Sequence, residues 1–192
     1  EKYHAPENSF LNRILERKLG LPIGLGVLYL EVARRAGIPL FGVNFPGHFL
    51  IAGHGTNGIL IVDPFHKGSV LTEDGCVDLL KEMAPQMVFK PEMISPAPLA
   101  TVLSRMLNNL KRVYLETCDH ARALRVVSLL LRLHPDHPGE LRVRASVLCS
   151  LGAFKAALKD VRRCLELSPS APDREGLEMA EKALKERVDQ LN

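Results

Sequence analysis

Two side chains carry the clearest chemistry in this chain: His48, in Phe45-Pro46-Gly47-His48-Phe49-Leu50, and Asp63, in Val62-Asp63-Pro64-Phe65. An imidazole beside a carboxylate has a fixed tautomer and a stabilised cationic form, which supplies the base and orienting acid of a nucleophile–base–acid triad. The same pair can also be a satisfied buried hydrogen bond. A triad further needs a thiol or hydroxyl nucleophile, and the only cysteine in the first hundred residues is Cys76, in Asp74-Gly75-Cys76-Val77-Asp78-Leu79-Leu80. That stretch reads as the start of a helix, whose N-terminus would lower a thiol pKa, but the packing of Leu79 and Leu80 favours a core thiol. His54 and His66, with His48 and Asp63, offer metal-ligand atoms. Both lie beside glycines in what read as exposed turns, so no metal and no cofactor are expected.

The elements that must position His48 and Asp63 are short strands. Leu40–Phe45, Phe49–Ala52 and Ile59–Val62 are rich in β-formers and are separated by Pro46-Gly47 and by the Gly53–Gly58 turn. A hairpin centred on Gly55-Thr56 pairs residues whose numbers sum to 111 and sets His48 directly opposite Asp63. Upstream, Phe10, Leu11, Ile14 and Leu15 at helical spacing predict a helix over Ser9–Arg17 with Asn8 or Ser9 as its N-cap. Gly20-Leu21-Pro22-Ile23-Gly24 stops it, and Pro22 suits the first turn of a second helix. This helix, Leu25–Ala36, is apolar on most sides and is expected to be the central buried one, ending at Gly37-Ile38-Pro39.

The rest of the chain is different in kind. Residues 1–100 hold 11 of the 14 Gly and 9 of the 13 Pro, whereas residues 101–192 hold 16 of the 25 basic groups and few breakers. Ala123-Leu124 recurs as Ala157-Leu158, Val127 as Val161, Leu131 as Leu165, Pro135 as Pro169 and Pro138 as Pro172, all at a period of 34, that of tetratricopeptide repeats. Helices are predicted near 101–117, 120–133, 138–151 and 154–167, with a charged capping helix near 173–190. Two repeats are fewer than such arrays need to stand alone, so the first helix is expected to bury a face against residues 1–100. The arginines at 122, 125, 132, 142, 144, 162 and 163 alternate with Glu116, Asp119, Asp136, Glu140, Asp160 and Glu166, which reads as a solvated face. His134 and His137 frame the turn between repeats and are expected to be exposed.

With 192 residues, 46% of them hydrophobic, the chain can build a core, and its formal charge of +3 favours neither a nucleic-acid nor a membrane partner. Cys76, Cys118, Cys149 and Cys164 show no metal-ligand spacing and suit a reducing compartment, so a cytoplasmic protein is expected. No apolar run reaches the length of a membrane span.

Gly37-Ile38-Pro39, Phe45-Pro46-Gly47-His48-Phe49-Leu50 and Val62-Asp63-Pro64-Phe65 together resemble the transglutaminase-like superfamily. Asn8-Ser9, Gly20-Leu21-Pro22-Ile23 and Leu28-Tyr29-Leu30 add a narrower resemblance to the bacterial SirB-type family, in which a transglutaminase-like domain precedes tetratricopeptide repeats. The resemblance implies an α+β fold. A papain/transglutaminase-like domain of helices and antiparallel sheet would span 1–98. An all-α repeat segment, 99–192, would pack against it, with repeats at about 104–137 and 138–171 and a capping helix. It makes His48 the equivalent of the family's base and Asp63 of its acid. The place of the catalytic cysteine falls near Pro22, and Gly20–Gly26 contains no Cys, Ser or Thr; Gly24 stands where relatives often carry a hydroxyl. The expected protein is a noncatalytic protein- or peptide-binding or regulatory module, engaging its partner through the repeat surface or through a vestigial cleft lined by Asn44, Gly47, His48 and Asp63. The alternative is a cysteine-type hydrolase or acyltransferase using Cys76 or another unconventional nucleophile.

Overall fold

Lys18, in the left-handed region at φ 55°, ends helix α1 (Leu11–Arg17) and turns the chain into Leu21 and Pro22, which open α2 (Pro22–Arg35). The computed structural model describes residues 5–56, 58–167 and 172–191. Neither Asn8 nor Ser9 caps α1: its N-cap is Phe10, without a side-chain bond, and Asn8 sits in a 3-10 turn where its Oδ1 accepts from Arg17 at 3.0 Å. The two helices pack closely because Gly20 and Gly24 leave room for Ile14, which is 1% exposed. A Cβ built on Gly24 would stand 2.5 Å from Ile14 Cδ1. Helix α2 is not the central buried helix its composition suggests. Its first turns are buried through Ile23, Gly24 and Gly26, but Tyr29 and Val32 face solvent, because the sheet covers only one side of it. Gly37, at φ 71°, ends it.

Four strands follow as an antiparallel meander in the order β1 (Leu40–Val43), β2 (Leu50–Gly55), β3 (Gly58–Asp63) and β4 (Ser69–Leu71). The β2–β3 ladder runs from Ile51 opposite Val62 to Gly55 opposite Gly58, so paired numbers sum to 113, not 111. Strand β2 continues through Gly53-His54-Gly55, which the sequence presented as turn, and His48 lies in a bend before the strand begins. Strand β4 is too short for its sequence to show a strand period. Its three residues pair with β3 as far as Asp63 opposite Ser69.

Two apolar layers cover the sheet. Leu21, Ile23, Phe49 and Val102 form one, with Met106 and Val27 against it. Val43, Phe45, Leu50, Ala52 and Ile61 form the other with Cys76, Leu79 and Leu80 of α3 (Glu73–Met83), which Thr72 caps by accepting from Gly75 N–H at 3.2 Å. The Phe49 ring lies between Gly26 and Gly42, where a Cβ would approach it to 2.5 and 2.6 Å. Burying one such aromatic contributes about 1.5–3 kcal/mol.

Helix α4 (Leu99–Glu116) contains the point, between Met106 and Leu107, at which the chain divides into two compact units. The second unit continues with α5 (His120–Leu133), α6 (Pro138–Ser150), α7 (Phe154–Leu167) and α8 (Arg174–Asp189), each within two residues of its predicted bounds. Ala123 and Ala157 are fully buried at the close approaches between helices. The left-handed turn residues also recur at the repeat period: Cys118 at φ 54° and Gly152 at φ 72°. The charged face is only partly solvated. Asp160 is 3% exposed and takes a bidentate bond from Arg144 at 2.6 and 2.7 Å, and Glu140 is buried against Lys111. His137 is exposed and caps α6 by accepting from Glu140 N–H at 3.2 Å. Pro169, one of the recurring prolines, lies outside the described residues. The architecture is α+β, and no helix among the described residues is long and apolar enough to cross a membrane.

Candidate functional site

The bend that carries His48 depends on Gly47, which adopts φ 71° and whose missing Cβ would meet Met83 Cβ at 2.8 Å. His48 N–H closes the turn onto the Phe45 carbonyl at 3.0 Å. The register alone would set residue 65 opposite His48. The imidazole therefore reaches Asp63 diagonally from outside the ladder, with Nε2 at 2.9 Å from Oδ1 and 3.0 Å from Oδ2. That leaves Nδ1 as the ring nitrogen able to serve a third group. His48 is 2% and Asp63 1% exposed.

Asp63 also organises the turn that follows it. Its Oδ1 accepts from the backbone N–H of Phe65 at 2.9 Å and of His66 at 3.2 Å, and its Oδ2 is 2.7 Å from His66 Nδ1. Burial alone would raise the Asp63 carboxyl pKa. Hydrogen bonds from His48 and His66, the charge of His48 and the His66 backbone N–H outweigh burial and hold the group well below the usual carboxylate range. The His66 ring stacks on that of His48 with centroids 5.9 Å apart, and Phe65 meets His48 edge-on at the same distance. His66 keeps 54% of its side chain exposed, as its turn position suggested, yet it belongs to the His48–Asp63 cluster. The readable signal was the Asp63-Pro64-Phe65-His66 spacing, which lets an aspartate bond the residue three along.

The other candidates separate from this cluster. His54 is on β2, its ring 5.9 Å from Phe41, and does not join His48. Asn44 is exposed, and its Oδ1 accepts from Arg105 at 2.8 Å; Arg105 also holds the Phe45 carbonyl at 3.1 Å. Nothing in the sequence marked that arginine, 60 residues from Phe45. Cys76 is fully buried in the apolar layer beneath β2 and β3. Burial and the nearby Glu73 push its thiol pKa up, opposite to the activation that a helix N-terminus would give. Residues 20–26 carry no Cys, Ser or Thr, and at Gly24 Ile14 Cδ1 lies in the space a side chain would use.

A glycine-tightened helix pair, a four-stranded antiparallel sheet and a His–Asp pair at one end of it define a transglutaminase-like domain, and the second unit is a tetratricopeptide array. Comparison with known proteins agrees: the transglutaminase-like superfamily matches residues 1–108 and the tetratricopeptide repeat residues 110–181. A UPF0162 protein of Xylella fastidiosa strain Temecula1 is 42% identical over 174 residues, covering 88% of this chain and 62% of its own length. A UPF0162 protein of Vibrio cholerae is 30% identical over 96% of this chain and 68% of its own. Protein SirB1 of Salmonella typhimurium is 29% identical over 88% of this chain and 64% of its own. The chain belongs to the transglutaminase-like superfamily and, within it, to the SirB1/UPF0162 family. It spans 62% of the length of the Xylella relative.

Proposed function

We propose that this chain is a noncatalytic transglutaminase-like protein that works as a protein- or peptide-binding module. The observation that carries the reading is the lack of any Cys, Ser or Thr at 20–26, the stretch around Pro22 where the resemblance puts the nucleophile; beside Gly24, within it, buried Ile14 takes the space a side chain would use. A base and an acid without a nucleophile form no acyl-enzyme. His48 and Asp63 then remain as a buried hydrogen-bonded pair beside the exposed Gly47 turn. The cysteine-hydrolase alternative is weakened by the burial and raised pKa of Cys76.

The repeat unit offers the partner surface. A groove of about 830 Å³ runs along α7 between α6 and α8, and six basic side chains line it against three acidic ones. Its arginines are committed, Arg144 to Asp160, Arg162 to Glu181 and Arg163 to Asp136 and Glu166. Lys155, Lys159 and Lys185 are exposed and have no ion pair among the described residues. The occupant this charge favours is an acidic segment of another protein.

Calorimetric titration of the whole chain with a ten-residue Glu/Asp-rich peptide tests the binding. Saturable binding that falls at least tenfold in the Lys155→Glu/Lys159→Glu variant supports it. A Lys-rich peptide binding equally well, or an unaffected variant, refutes it. Turnover of a glutaminyl or ester substrate that disappears in His48→Ala would refute the noncatalytic assignment.

A further inference from the structure

The turn after β3 gathers two imidazoles around one carboxylate, and the binding function proposed above makes no use of the second imidazole. We propose that His48, Asp63 and His66 form a three-ligand site for a divalent transition metal ion of the zinc class. Among the described residues this is the one group of three or more such side chains whose ligand atoms all lie within 4.8 Å of one another. The donor set, two imidazole nitrogens and one carboxylate oxygen, suits zinc and its late first-row neighbours.

The two oxygens of Asp63 divide the work. Oδ1 is fixed by the N–H groups of Phe65 and His66, which holds the carboxylate plane in place as the outer hydrogen bonds of metal-ligating carboxylates do. Oδ2 lies 3.0 Å from His48 Nε2 and 2.7 Å from His66 Nδ1, so one oxygen faces both nitrogens. A zinc ion with bonds of about 2.0–2.1 Å sets its ligand atoms about 3.3 Å apart in a tetrahedron. The two contacts need to lengthen by about 0.3 and 0.6 Å to meet that spacing, and the cation then takes the place of the hydrogen bonds between these atoms.

Burial is distributed as such a site requires. His48 and Asp63 are held rigidly inside the fold, while His66 is 54% exposed on its turn and provides the way in. Three protein ligands leave a fourth position, on the His66 side, for water or for a carboxylate from a partner.

The test uses the whole chain, stripped with chelator and freed of it by gel filtration. Zinc chloride is titrated calorimetrically, and metal retained after a second gel filtration is counted by mass spectrometry. One equivalent is expected, with affinity reduced at least 100-fold in His66→Ala and unchanged in His54→Ala. The exposure of His66 keeps its variant folded, and circular dichroism checks this. Cobalt substitution reads the donors: d–d bands without a thiolate charge-transfer band are expected. No retained zinc, equal binding by His66→Ala, or a thiolate band would each overturn the site and leave the cluster a hydrogen-bonded triad. None of these results depends on the acidic peptide.

Discussion

If Ile14 excludes a side chain at position 24, the two residues must be energetically coupled. The methyl of Gly24→Ala would fall 2.5 Å from Ile14 Cδ1, whereas the next atoms, Asn8 O and Ile14 Cγ1, are at 3.7 and 4.0 Å, ordinary contact distances. Cδ1 is a terminal methyl, but its escape is limited because Ile14 is 1% exposed and its Cγ atoms also crowd Gly20. Overpacking of this kind costs about 1–3 kcal/mol, and the better helix propensity of alanine returns about 0.5–1 kcal/mol of it. Gly24→Ala is therefore expected to destabilise by about 1 kcal/mol, within the roughly 0–2.5 kcal/mol that the difference of those two ranges spans. Ile14→Val removes Cδ1 and alone costs about 0.5–1.5 kcal/mol. Combined, the alanine methyl occupies the volume the isoleucine gave up, and the double variant should unfold within about 0.5 kcal/mol of the parent, a coupling of about 2 kcal/mol at the middle of the two single ranges. Urea denaturation followed by far-ultraviolet circular dichroism closes the cycle. Additivity of the two single changes within about 0.5 kcal/mol would show that Ile14 does not fill the space beside Gly24, and the noncatalytic proposal would lose its structural support.

Asp63→Ala should cost about 3–5 kcal/mol by stranding buried donors, measured by the same denaturation. Because the folded pKa of Asp63 is depressed, its stabilisation is complete above the ordinary carboxylate pKa and is lost as pH falls toward the folded value. Asp63→Asn should flatten that acid limb, and an unchanged limb would contradict the assignment. Arg144→Ala leaves the 3% exposed Asp160 without its partner and should cost about 3–5 kcal/mol, whereas Arg144→Met with Asp160→Leu should lie near the parent. In native protein, Ellman's reagent should react first at exposed Cys118, with Cys76 and Cys164 released only on unfolding. Rapid native labelling of Cys76 that His48→Ala abolishes would restore the cysteine-enzyme reading.

The repeat helices were legible because two periods, 3.6 within a helix and 34 between repeats, mark the same residues, and small residues at 123 and 157 mark the contacts. The His48–Asp63 encounter was legible from its motif, although the hairpin register behind it was wrong by two in the sum. Glycines at 53 and 55 look like turn residues in a sequence, but the ladder runs through both and closes on Gly58. Strand β4 has three residues, too few for a period to show. Helix α2 looked buried because its apolar residues surround it, and only the sheet's position reveals which side is covered. The contacts of Ile14 with Gly24 and of Arg105 with Asn44 join separate elements, and no local spacing encodes them.

Phe49 follows His48 in the chain and is held between Gly26 and Gly42 like a shim between a helix and a sheet. The orientation of the imidazole is thus inherited from the thickness of that layer. A methyl group added at either glycine would stand 2.5 or 2.6 Å from the Phe49 ring, so the ring must move, and a weakened His48–Asp63 contact is the expected result. Positions that touch neither side chain thereby set the chemistry of both, and variation at 26 or 42 would retune the pair without altering its residues.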